Sequence, residues 1–132
     1  MVIPGLEKKI FEIPYKVIEL YYRTLESKIC VSKLEPLADF TKNVKAKYTT
    51  IQQVSEEDFK NIPVKDIKQS GIAAIENLIT NIVNSSRSNV EKQDELASKF
   101  KRIFKLYAAG IFDNNSKFSI KVYRIGHKFT IN

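Results

Sequence analysis

Lys42, Lys45 and Lys47 fall within six positions of the stretch F-T-K-N-V-K-A-K-Y-T-T-I-Q-Q-V, Phe40 to Val54, which holds no acidic residue. Ammonium groups without opposing carboxylates, interleaved with Val44 and Tyr48, suit one kind of chemistry, the neutralisation of phosphate. A solvated linker has the same composition, so charge alone leaves both readings open. Groups that make or break bonds are missing. The single histidine, His127, stands between Gly126 and Lys128 with no serine or cysteine arrangement around it that suggests a nucleophile. There is no glycine-rich phosphate loop, no H-E-x-x-H and no cluster of cysteine and histidine ligands. Glu56, Glu57 and Asp58 are adjacent, and adjacent carboxylates on a helix point in different directions, so they read as a helix start rather than a metal site. Asp113-Asn114-Asn115-Ser116 is a turn by composition and lacks the further carboxylates of a calcium loop. The sequence therefore predicts no enzyme and no cofactor, and leaves binding or assembly.

The chain has 132 residues, a net charge of +7 and a pI near 9.4. That balance favours an anionic partner such as nucleic acid or a membrane surface. The charge is uneven: residues 1–39 hold six basic and six acidic side chains, 40–54 three basic and none acidic, 55–98 five against eight, and 99–132 eight against one. The positive field thus sits on the Phe40–Val54 stretch and on the C-terminal third. The lone cysteine, Cys30, has no internal disulfide partner, and its apolar neighbours predict a buried, unreactive thiol. No apolar run approaches the roughly 20 residues of a membrane span, and Lys8 and Lys9 interrupt any apolar segment of a signal peptide, so residence inside a cell is expected.

Glycine and proline number four each, which argues for long helices. Ile18, Tyr21, Tyr22, Leu25 and Ile29 recur at three- and four-residue steps and predict a helix over 14–31, about 27 Å long at 1.5 Å per residue. Its other face carries Glu12 with Lys16 and Glu19 with Arg23, i,i+4 pairs in the favourable order at ~0.2–0.5 kcal/mol each. The apolar stripe needs a cover, and a partner subunit is the expected one. Pro36 opens a second, shorter helix to about Lys47. Ser55 caps a third, which Pro63 ends or kinks. Ile72, Ile75, Leu78, Ile79, Ile82 and Val83 predict a core helix from about Ser70. Ser88-x-x-Glu91 is a capping box opening a helix to Ala109, stopped by Gly110, with Val90, Leu96, Phe100, Ile103, Phe104 and Tyr107 on its core face. Phe118, Ile120 and Val122 alternate as in a strand, with Gly126 able to turn a short β-hairpin, although helix spacing fits the same residues. The expected fold is all-α with a possible hairpin at the C-terminus, organised as residues 1–54 and 55–132.

Phe40, Asn43, Val44, Lys47, Tyr48, Thr49 and Thr50, followed by Gln53, Val54 and Ser55, resemble the F-x-x-N-V…K-[FY]-T-[ST] stretch and Q-V-S run of the major coat proteins of filamentous and rod-shaped archaeal viruses, the lipothrixvirus and rudivirus family. Phe104 to Asn115, F-K-L-Y-A-A-G-I-F-D-N-N, is similar to an aromatic helix end and asparagine-rich turn in the same family. Within it the chain looks closer to the enveloped, lipothrixvirus branch. The resemblance implies an N-terminal helical arm (1–54) that wraps nucleic acid and a partner subunit, and a four-helix bundle (55–132). It further implies a homodimer, or a heterodimer with a paralogous coat protein, wrapped around linear double-stranded DNA in A-form. Such dimers stack into the helical filament of a virion assembled in the host cytoplasm, with a lipid envelope as a further contact.

Under that reading binding is independent of base sequence, because lysine and arginine displace counterions from phosphate. The first candidates are Lys42, Lys45 and Lys47, with Asn43 and Thr49 as neutral donors. Lys9, Lys16, Arg23, Lys28 and Lys33 on the arm follow, then Lys99, Lys101, Arg102 and Lys105. The rival readings are a small basic DNA-binding regulator and a membrane-surface protein using Tyr15, Tyr21 and Tyr22.

Overall fold

The computed structural model describes residues 12–48 and 54–112, and all regular structure among them is helical. Helix α1 spans Tyr15–Ser27 and α2 Leu37–Lys47; α3 (Glu56–Phe59) and α4 (Val64–Ser70) are short; α5 spans Ile72–Val83 and α6 Asn89–Ala108. The all-α expectation holds for these residues, while the suggested hairpin at 118–131 lies outside them.

Pro14 leads into α1, and its one carbonyl accepts from the amides of both Val17 and Ile18. The helix buries Val17, Ile18, Tyr22, Thr24 and Leu25, and Thr24 satisfies its own hydroxyl on the Leu20 carbonyl at 2.7 Å. Beyond Ser27 the chain passes through the left-handed region at Cys30 (φ 60), and the Val31 amide donates to the Leu25 carbonyl at 2.9 Å. That turn carries the Cys30 side chain out to solvent, so the expectation of a buried thiol fails: apolar neighbours in sequence do not cover a residue at the apex of a turn.

α1 packs against α2, α5 and α6, and its apolar stripe is covered by this chain itself. The Tyr21 ring stacks on Phe100 of α6 at 4.4 Å between centroids. Ile13, Val17, Ile18 and Ile29 lie in one core with Ile75, Ile79, Leu96 and Ile103. Burying those four side chains, in α1 and directly beside it, is worth about 1.5–3 kcal/mol each, so detaching the segment costs roughly 6–12 kcal/mol, as much as the stability of a typical domain. The sequence leaves this open because a stripe shows that a cover is needed, not which surface provides it. The charged face also differs from expectation: Lys16 pairs with Glu19 at 3.8 Å and Arg23 with Glu26 at 2.8 Å, at i,i+3 in both cases.

α3 stops at Phe59, four positions short of the expected break at Pro63, because Lys60 is already extended and Asn61 left-handed (φ 61); Pro63 instead serves as N-cap to α4, an element the periodicity of 64–70 is too short to announce. Gly71 separates α4 from α5 at φ 61 and ψ −129, a conformation that residues with a Cβ rarely adopt. At the start of α6, Ser88 and Glu91 form the anticipated capping box. At its end Gly110 (φ 79) allows a paired stop, with the Ile111 amide on the Leu106 carbonyl and the Gly110 amide on the Tyr107 carbonyl, both at 2.9 Å. Leu96, Phe100, Ile103 and Phe104 are core as expected, and Tyr107 packs against it half-buried. Val90 is not: it sits in the first turn, 69% exposed. Among the described residues no helix is long and apolar enough to cross a membrane.

Candidate nucleic-acid interface

Pro36 fixes the entry to α2, Asp39 lies in its first turn, and Lys45 and Lys47 lie in its last, so both ends match the helix dipole. None of its residues is buried. Leu37, Phe40 and Val44 recur at helical spacing and are half-covered, with the Phe40 ring set edge-on to Tyr21 at 5.7 Å and Tyr22 at 5.3 Å. The Tyr22 hydroxyl donates to the Glu35 carbonyl at 2.9 Å and ties the turn before α2 back to α1. This anchorage on one side leaves the opposite side of α2 in solvent.

Lys42, Lys45 and Lys47 are all exposed. The Lys47 ammonium lies 5.5 Å from the centroid of the Tyr48 ring, and Lys42 has no hydrogen bond or ion pair among the described residues. Asn43 is not a free donor. Its amide donates to the Glu35 carboxylate at 2.8 Å, across eight positions, which closes the turn onto α2. Glu35 went unrecognised as a site residue, and the signal for it was its place immediately before Pro36.

A groove of about 350 Å³ runs between α2 and α6, floored by Tyr21, Phe40, Val44 and Phe104, with Lys47 on one rim and Lys101 on the other. Burial, with Tyr48 nearby, pushes the Tyr21 phenol up to about 12, and burial followed by the Asp58 charge raises Tyr48 too. Both phenols therefore stay neutral near pH 7, and the charge of the groove is set by its lysines and Glu35.

The other candidates divide. On α6, Arg102 donates to the Lys60 carbonyl at 3.0 Å and to Glu57 at 3.2 Å, Lys105 lies 2.8 Å from the buried Asp58 carboxylate, and Lys99 reaches the Asn61 carbonyl at 3.4 Å. Burial first, then Arg102 and Arg87, lowers the Lys99 pKa. These three cations clamp α3 and its following turn to α6 rather than facing outward. Lys101 alone of that cluster is exposed. On the leading segment Lys16 and Arg23 are paired with glutamates, whereas Lys28 and Lys33, in the connection to α2, are exposed without a partner among the described residues. Lys9 and Thr49 lie outside the described residues. The structure thus sets Lys47 and Lys101 on the rims of one groove, displays Lys42 and Lys45 elsewhere on α2, and withdraws Lys99, Arg102 and Lys105. Compared with family models, curated proteins and solved structures, the chain matches none.

Proposed function

We propose that this chain binds double-stranded DNA without regard to base sequence and acts as the major coat subunit of a filamentous virion, assembling as dimers along linear DNA. The observation that carries the reading is α2, a helix with nothing buried that displays Lys42, Lys45 and Lys47 to solvent with Lys28 and Lys33 on the approach to it. The similarity of the Phe40–Ser55 stretch to the archaeal coat proteins supports the same assignment. In this reading α3 to α6 form the bundle and α1 and α2 form an arm that is docked on it. Because α1 is held by its core contacts, the duplex is met by α2 and the preceding turn rather than by a free α1, and the winding of the DNA comes from stacked subunits.

About five exposed lysines on phosphate predict that log affinity falls with log salt concentration at a slope of about −4 to −5. The test is filter binding or gel retardation of several unrelated linear duplexes over a salt series, with negative-stain microscopy of the same mixtures. Equal retention of every duplex, the steep slope and regular filaments are expected. A slope near zero, with liposome flotation in its place, would assign the surface to lipid, and one strongly preferred duplex would assign it to a regulator.

A further inference from the structure

We propose that the outer ridge of α6 is a self-association surface, on which a second copy of this chain docks its own α6 antiparallel about a two-fold axis at Ala97 and Ser98. Val90, Asp94, Ala97 and Lys101 follow one another at four-, three- and four-residue steps and so form one ridge. All four are exposed. The capping box holds Val90 in an ordered first turn, which makes its 69% exposure a fixed apolar knob rather than a frayed end.

The charges on this ridge are distinctive. Glu95 pairs with Arg87, Arg102 with Glu57 and Lys105 with Asp58, whereas Asp94 and Lys101 have no hydrogen bond or ion pair among the described residues. Seven positions separate them, about 10.5 Å of rise, so they do not satisfy each other within one helix. In the antiparallel arrangement Asp94 of each copy faces Lys101 of the other, twice over by symmetry. A parallel arrangement would instead set Asp94 against Asp94 and Lys101 against Lys101. Ala97 and Ser98 fall at the crossing, where small side chains let helix axes approach to the near end of the usual ~8–10 Å range. Val90 then comes over the end of the partner's α2–α6 groove near Phe104, an apolar seat that α2 and α6 leave open.

This contact deepens the assembly half of the proposed function; of the candidate interface lysines it uses Lys101 alone, and the five behind the salt slope, Lys28, Lys33, Lys42, Lys45 and Lys47, lie off the ridge. Sedimentation equilibrium of the full chain without nucleic acid tests it. A monomer–dimer equilibrium in the roughly micromolar range is expected. Asp94→Lys and Lys101→Asp each weaken it about tenfold or more, Val90→Ser weakens it as well, and the double exchange Asp94→Lys with Lys101→Asp restores it. All these positions are solvent-facing, and circular dichroism verifies that each variant keeps its helices. A monomer up to about 1 mM, or a double exchange no better than the singles, overturns the contact. A monomer that still coats DNA would overturn this contact alone, and a dimer indifferent to DNA would overturn the nucleic-acid reading alone.

Discussion

Two lysine-rich stretches, one on α2 and one on the second half of α6, look alike as strings and behave as opposites once folded. On α6 the fold delivers Glu57, Asp58 and two carbonyls to Arg102, Lys105 and Lys99, and the cations become clamps. On α2 it delivers Glu35 to Asn43 and leaves Lys42 without a counterion among the described residues. Cation density therefore does not separate a structural clamp from a binding surface. What separates them is whether a distant acidic segment is brought into reach.

The largest effect tests whether both regions hang from a single core. Phe100 lies under Tyr21 and is fully buried, so Phe100→Ala should lower stability by about 3–5 kcal/mol. Denaturant unfolding followed by helix content and by tyrosine fluorescence should show one shared transition. An earlier, separate loss of α1 would break the comparison, because α2 would then ride on a detachable element.

Next comes the clamp. Lys105→Met leaves the buried Asp58 without its cation and should cost about 1–3 kcal/mol by thermal or chemical denaturation, with the salt slope of duplex binding unchanged. A lowered slope would put Lys105 on the DNA instead.

A smaller effect appears in alkali. The Tyr21 phenol is raised from 10.0 to about 12 chiefly by burial, so its neutral form is favoured in the folded state. Its contribution is complete below pH 10.0 and is lost as pH rises toward about 12. Tyr21→Phe should flatten that alkaline fall in melting temperature, and an unchanged profile would mean the ring is not held in the groove floor.

The smallest change in stability belongs to the α2 lysines. Lys42→Ala with Lys47→Ala should alter folding by no more than about 0.5 kcal/mol and should reduce the salt slope of duplex binding by about 2. A loss of stability equal to that of Lys105→Met would erase the distinction between the two regions.

Much of the scaffold could be read before folding, because its signals are local. Ser88 with Glu91, Gly110, Pro36 and the periodicity of Ile75, Ile79 and Ile82 each act within a few residues, and the helices begin and end beside them. What escaped the sequence depends on distance. Arg102 meets Glu57 across 45 positions, and nothing in either neighbourhood encodes that meeting. The same holds for α1, whose stripe meets α5 and α6 only through the tertiary fold. Val90 departs from expectation for a geometric reason: it lies on the ridge of Asp94, Ala97 and Lys101, which faces solvent along α6, and not on the buried stripe of Leu96, Phe100 and Ile103. At the site, Lys42 and Lys47 were legible as a patch, while the capture of Asn43 by Glu35 was not.

The left-handed turn after α1 leaves Cys30, the chain's sole sulfhydryl, open to solvent. A single nitroxide or fluorophore can therefore be attached at one defined address per molecule without mutagenesis. Dipolar spectroscopy between two such tags would turn the question of how subunits meet into a measured separation, in dilute solution and inside an assembled filament alike.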